Sequence, residues 1–324
     1  MKPMTRVLAI CSALLLALTF AAALRADVKT KEKTIFKLEG FLGRFASSPK
    51  DGVTSTIAVK GNRLSRASDT TGQIIDLTEQ KVYELDIKKK EYKVTTFDEL
   101  RRRWQEARAK AEKDMKDMPA EEKSEVEQAG KQMDVDVNVR ETGQRKNIAG
   151  HDTREVVLTL TMREKDKTIE ESGGFIMTSA MWLGPRVAAM DEIGAFHLKY
   201  FQAIYGDAFG IDPQQTASLA AMFPSFGKMS QQLAAEGKKM QGTPLATTTT
   251  FESVKSAAAM SGSGQQQSGG GGISGRLGGM LSRRMRGPAQ QKSLVMTTST
   301  EYLSIEPSAT ADDVAIPATF KEKK

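Results

Sequence analysis

The stretch from Val53 to Thr96 limits the fold more than any other part of the chain, because short alternating runs, each closed by a tight polar turn, lead directly into one charged helix. Ile57 and Val59 are apolar at spacing two and are followed by Gly61-Asn62. Tyr83, Leu85 and Ile87 then face one way while Glu84 and Asp86 face the other. Lys88-Lys89-Lys90 turns the chain, and Tyr92 and Val94 resume the pattern. Successive side chains of a strand point to opposite sides of a sheet, so this period predicts antiparallel strands with one apolar side to cover.

The compartment is legible at the N-terminus. Lys2 and Arg6 precede an apolar run from Val7 to Leu24, and small residues at Ala21, Ala23 and Ala26 offer a cleavage point, so residues 1–26 are expected to be a secretory signal, cleaved or retained as an anchor. The only cysteine, Cys11, lies inside that run with Ile10 before it, which does not suit lipidation. Without the signal the chain has no thiol, so its stability has to come from a core. Removing Lys2, Arg6 and Arg25 brings the formal charge from +7 to +4. Both signs are interleaved along the chain, which argues against nucleic acid as a partner. No later stretch approaches the ~20 apolar residues of a spanning helix, so no transmembrane segment is expected after the signal. The expected location is the periplasm or the cell exterior.

Phe36, Leu38 and Leu42 alternate with Lys37 and Glu39 in a first strand ahead of the meander. After it, Asp98 opens a helix with Leu100, Trp104, Ala107, Ala111, Met115 and Met118 at steps of three and four. The residues between are charged, so only a narrow stripe is available for burial. Met133 to Arg140, Val156 to Met162 and Phe175 to Trp182 read as further strands. Pro185 starts a helix through Tyr205 with apolar residues on most of its circumference, and Pro213 starts a second helical region interrupted at Pro224. Leu245–Val254 and Leu294–Ile305 are Thr-rich and strand-like. The Ser/Gly/Gln tract between them has too few large apolar groups to offset ordering entropy, so it reads as a disordered insertion. Asp312 to Phe320 forms a short extended finish with Pro317 suited to an edge.

Catalytic and metal-binding patterns find little support. Asp134-Val-Asp136-Val-Asn138 opens like a calcium loop, but the sixth and twelfth positions are Val139 and Arg145 where the loop needs Gly and Glu. Gly270-x-Gly272-x-x-Gly275 matches a dinucleotide fingerprint in letters only, without the strand and helix that hold a pyrophosphate. His151 and His197 have no ligand partner at metal spacing, and no nucleophile elbow is present. The expectation is a protein with no enzymatic activity, no cofactor and no metal. Methionine is the more informative surplus: Met177, Met181, Met190, Met222, Met229 and Met240 supply flexible, polarisable side chains suited to irregular core filling or to varied apolar partners.

Several short motifs carry a resemblance. Gln73-Ile-Ile-Asp-Leu77, Lys81-Val-Tyr-Glu-Leu85, Lys89-Lys-Glu-Tyr92 and Thr95-Thr-Phe97, with Glu141-Thr-Gly143, Ile148-Ala-Gly-His151, Met181-Trp182 and Ile316-Pro-Ala318, resemble a family of exported bacterial domains of unknown function. That family is similar in fold to the LolA, LolB and RseB group. The resemblance implies an α+β architecture: a strongly curved antiparallel sheet, a half-open barrel, packed against several α-helices around an apolar cavity. It would form a single domain over residues 27–324, with a charged helical insertion at about 97–132, a helical region at about 185–240 and a disordered loop at about 256–292. The candidate cavity wall is Phe36, Leu38, Ile57, Tyr83, Leu85, Tyr92, Leu158, Leu160, Met177, Trp182, Phe196 and Phe201. The expected partner is a lipid acyl chain or another apolar ligand in the half-barrel. If the helices fill it, the partner is an envelope protein.

Overall fold

A computed structural model of the 324-residue chain describes residues 27–39, 43, 49, 51–119, 121–122, 124, 132–206, 224–260 and 291–323. The expected signal, Leu42, most of the polar segment after Pro119, Leu219 and Met222, and the glycine-rich tract from 261 to 290 lie outside the described residues.

The strands are β1 (Val28–Leu38), β2 (Val53–Lys60), β3 (Arg63–Ala67), β4 (Thr71–Asp76), β5 (Lys81–Asp86), β6 (Glu91–Thr96), β7 (Met133–Ile148), β8 (His151–Glu164), β9 (Gly174–Gly184), β10 (Thr243–Val254), β11 (Lys292–Glu306) and β12 (Lys321–Glu322). The helices are α1 (Phe97–Lys116), α2 (Ile169–Ser172), α3 (Ala188–Tyr205), α4 (Pro224–Glu236) and α5 (Ala257–Met260). All twelve strands join one sheet in the order β12-β6-β5-β4-β3-β2-β1-β11-β10-β9-β8-β7. Only the β12–β6 pair is parallel.

The expected half-open barrel is not what forms. The sheet is open and not strongly curled, its end strands β12 and β7 do not pair with each other, and the helices do not line a trough within it. Period-two alternation reports that a strand has one covered side, but it carries no information on how far the sheet bends. Bending depends on twist and on bulges, here at Lys31/Glu32, Pro244/Ala246, Phe251/Glu252 and Glu141/Arg145, which interrupt the pairing only locally.

Directly paired residues share a face, so the register sorts the side chains. Val28, Val59, Leu64, Ile75 and Val82 follow one another across β1–β5 and form the main core with Phe97 of α1 and Ala189, Ile193, Phe196 and Ile204 of α3. This is the helix-bearing face. Helix α1 begins there because the Thr96 side chain accepts the Glu99 N–H (3.2 Å) and the acidic Asp98 and Glu99 occupy the first turn. Phe97 is fully buried edge-on to Tyr200, and Trp104 packs edge-on to Tyr205. Residues 105–114 are exposed all round, so the expected buried stripe ends at Trp104 and its Ala107 and Ala111 face solvent, because two alanines bury too little apolar area to hold a charged helix down.

On the opposite face, Ile74, Tyr83 and Leu85 are covered by the C-terminal tail, whose Ile316 and Phe320 pack on them with Tyr92 and Val94. Ala309 and Val314 pack on Ala58. Asp313 pairs with Lys29 (2.7 Å), and the Lys321 and Lys323 N–H groups donate to the Lys90 and Tyr92 carbonyls (3.0 and 2.8 Å). At the far edge, α4 lies along β7, with Lys228 on Asp134 (3.0 Å) and Lys239 Nζ on the Val139 carbonyl (3.3 Å). The first half of the β7 edge and the start of the β6 edge thus each have a cover that hinders pairing with other chains.

Candidate functional site

The helix-bearing face continues past α3 onto the C-terminal strands. There the register places Leu38, Met296, Phe251, Met177, Leu160 and Val137 in one unbroken cross-strand row over β1, β11, β10, β9, β8 and β7. All six side chains are half-buried. At about 4.8 Å per strand the row spans roughly 24 Å. The next row runs Phe36, Thr298, Thr249, Ser179, Leu158 and Val139, apolar at its ends and lined with hydroxyls in the middle. The Ser179 and Thr249 hydroxyls bond to each other (3.0 Å), as do those of Thr34 and Thr300 (3.3 Å), so these groups are paired on the sheet itself. A third short row, Val135, Met162 and Phe175, widens the apolar area.

Of the residues expected to line a cavity, Phe36, Leu38, Leu158, Leu160 and Met177 come together in these rows. The others do not. Ile57 and Phe196 are buried in the core under α3. Tyr83, Leu85 and Tyr92 lie on the opposite face beneath the C-terminal tail, where Tyr83 donates to Glu79 (2.6 Å) and its phenol is held above the ordinary range, first by burial and then by that carboxylate. Trp182 alternates away from Met181 and packs with Ile148, Leu245 and Ala246, with the Lys146 ammonium 4.3 Å from its ring centroid. Phe201 is 37% exposed on α3 and stacks on His197. The sequence reading overlooked Val137, Phe251 and Met296. Phe251 and Met296 are the large apolar residues at the ends of two Thr-rich strands, a local signal, but their alignment with Met177 depends on pairing with distant segments.

A polar cluster borders the rows. Glu32 of β1 is 3% exposed, and the Arg66 guanidinium of β3 pairs with it. Tyr302 lies opposite Glu32 on β11, and burial, then the Glu32 charge, pushes its phenol up to about 12. His197 is held below its ordinary range by burial, with the nearby Arg66 charge adding to the effect. Beneath α3, the buried Thr30 hydroxyl has no hydrogen-bond partner.

Asp134 and Asp136, the start of the calcium-like letters, lie in β7, where Arg163 bonds to both (3.3 and 2.6 Å) and Lys228 neutralises them further. Among the described residues, no group of His, Cys, Asp or Glu is placed to hold a metal, and no helix is long and apolar enough to cross a membrane. No protein-family model and no curated protein matches this sequence.

Proposed function

We propose that this chain is an exported protein that acts by binding and not by catalysis, and that its ligand is a lipid acyl chain or similar long apolar group laid against these apolar rows. The observation that carries this reading is the continuous line of half-buried Leu38, Met296, Phe251, Met177, Leu160 and Val137 on the side of the sheet that also bears α3. One leaflet of a bilayer core is about 15 Å thick, so an acyl chain covers about three inter-strand spacings and fits within the row. Each methylene removed from water contributes about 0.8 kcal/mol, so a chain of about 14 carbons gains roughly 11 kcal/mol before association costs. Met177 and Met296 adjust to such a chain without a fixed shape. Selectivity is therefore expected to follow chain length.

Mass spectrometry of solvent extracts from the purified protein, together with uptake of an apolar fluorescent probe, tests this reading. Met177→Glu places a charge in the middle of the row, whereas Thr178→Glu places one on the opposite face of the same strand. Probe affinity is expected to fall at least about ten-fold in the first and to stay unchanged in the second. A clean extract with no probe uptake, or equal effects of the two substitutions, removes the proposal.

A further inference from the structure

Glu32 lies at the end of the core beneath α3, separated from the Phe36 row by the hydroxyl pair Thr34–Thr300, and it is the most deeply buried carboxylate among the described residues of the helix-bearing face. A carboxylate removed from water needs charged or hydrogen-bonding partners. Glu32 receives the Arg66 guanidinium, and Tyr302 sits opposite it on β11. Arg66 differs from its partner in one respect: 52% of its side chain remains exposed while the Glu32 side chain is 4% exposed. The guanidinium is fixed through one amino group, and about half of the side chain remains in contact with solvent. A guanidinium carries five donors in a rigid plane, so one held at a single edge retains the geometry for a second oxyanion.

The Glu32–Arg66 pair also has a direction. Along β1 the residues on this face are Glu32, Thr34, Phe36 and Leu38 in succession. At about 3.4 Å per residue, Phe36 lies roughly 14 Å and Leu38 roughly 20 Å from Glu32. Phe36 is itself 37% exposed. On the α3 side, Phe201 stacks on His197, which adds an aromatic wall next to the cation. A molecule with an oxyanion at one end and an apolar chain of about 15 Å at the other reaches from Arg66 along β1 to Phe36, so it enters the rows at their β1 end and stops short of Met177, three strands further on.

We infer that Arg66, held in place by Glu32, binds the anionic end of the guest, and that the guest is a long-chain carboxylate. The planar carboxylate matches a guanidinium edge with two parallel hydrogen bonds, which is the reason for choosing it over a phosphate. This inference rests on the apolar-row reading and narrows it from any long apolar group to one that carries a terminal acid.

The test uses the full mature chain, stripped of lipid, and displacement of the apolar fluorescent probe by palmitic acid, methyl palmitate and hexadecyl phosphate. Palmitate is expected to displace the probe at about ten-fold lower concentration than its methyl ester, because a charge-assisted bond is lost on esterification. Arg66→Gln is expected to remove that difference between acid and ester. Arg66→Lys is expected to keep part of it. If Arg66→Gln does not fold, the comparison of acid with ester on the unaltered protein still decides the matter. Equal affinity for acid and ester overturns the Arg66 assignment while the apolar-row reading stands. Tighter binding of hexadecyl phosphate overturns the choice of carboxylate. Failure of every palmityl compound to displace the probe, or of the probe to bind, removes the apolar-row reading and this inference with it.

Discussion

Backbone conformation at single residues decides how the C-terminal strands meet. The β7–β8 hairpin turns through Ala149 and Gly150, both with positive φ (50° and 81°), the pair of left-handed residues that a two-residue turn matched to strand twist requires. Gly174 opens β9 at φ 149°, and a Cβ built there would lie 2.1 Å from the Met162 carbonyl oxygen of the neighbouring strand. Gly143, at φ 81°, has nothing within 4 Å of the same position. Gly174→Ala is therefore expected to cost more than about 2 kcal/mol, and Gly143→Ala about 1, since the first adds a backbone collision to the conformational cost that both share. Urea midpoints of the two variants provide the comparison, and equal losses would show that the contact is irrelevant. Neither difference is legible in the sequence, where both positions read as glycine near the end of a strand.

At the scale of elements, the C-terminal tail shows how a cover far away in sequence changes what an alternation means. Tyr83, Leu85 and Tyr92 carry a clear period-two signal and do bury one side, but what they meet is Ile316 and Phe320, more than 200 residues further along the chain. The sequence reads Asp312 to Phe320 as an extended finish, but Asp312–Val314 forms a 3-10 turn and the strand that pairs with β6 is Lys321–Glu322, just beyond that stretch. The tail's clamp is electrostatic as well as apolar. The Lys29 ammonium and the Thr310 backbone N–H hold the Asp313 carboxyl down at about 2, against roughly 3.9 in an unfolded chain. A carboxyl with a depressed folded value contributes stability that is fully present above the unfolded value and is lost as pH falls through the folded one. Protection of the Lys321 and Lys323 amides is thus expected to weaken between about pH 4 and pH 2. In Asp313→Asn it is expected to be lower throughout and flat over that window. Hydrogen exchange reads both, and an unchanged acid profile in the variant would sink the assignment.

For the whole molecule the decisive strand is β1, bonded to β2 on one side and to β11 on the other, a pairing that joins Thr34 to Thr300. It connects the meander to the C-terminal strands, so the two parts are expected to unfold together. The only two tryptophans report on them separately, Trp104 against α3 and Trp182 in β9. Variants retaining one or the other are expected to give coincident urea transitions, and two separated midpoints would mean two independent units. Closing β1 onto β11 spans most of the chain, which also makes refolding slow for the number of residues involved. The amino-acid sequence by itself determined the meander and its turns, the start of α1 and the apolar side of the strands it marked, because these follow from local periodicity and local hydrogen bonding. Tertiary structure alone decided that the sheet stays open, that the tail and not a cavity covers Tyr83, Leu85 and Tyr92, and that Met177 lines up with Leu38, Met296 and Phe251. Those outcomes depend on which distant strands pair and in what register, and alternation along a single strand fixes neither.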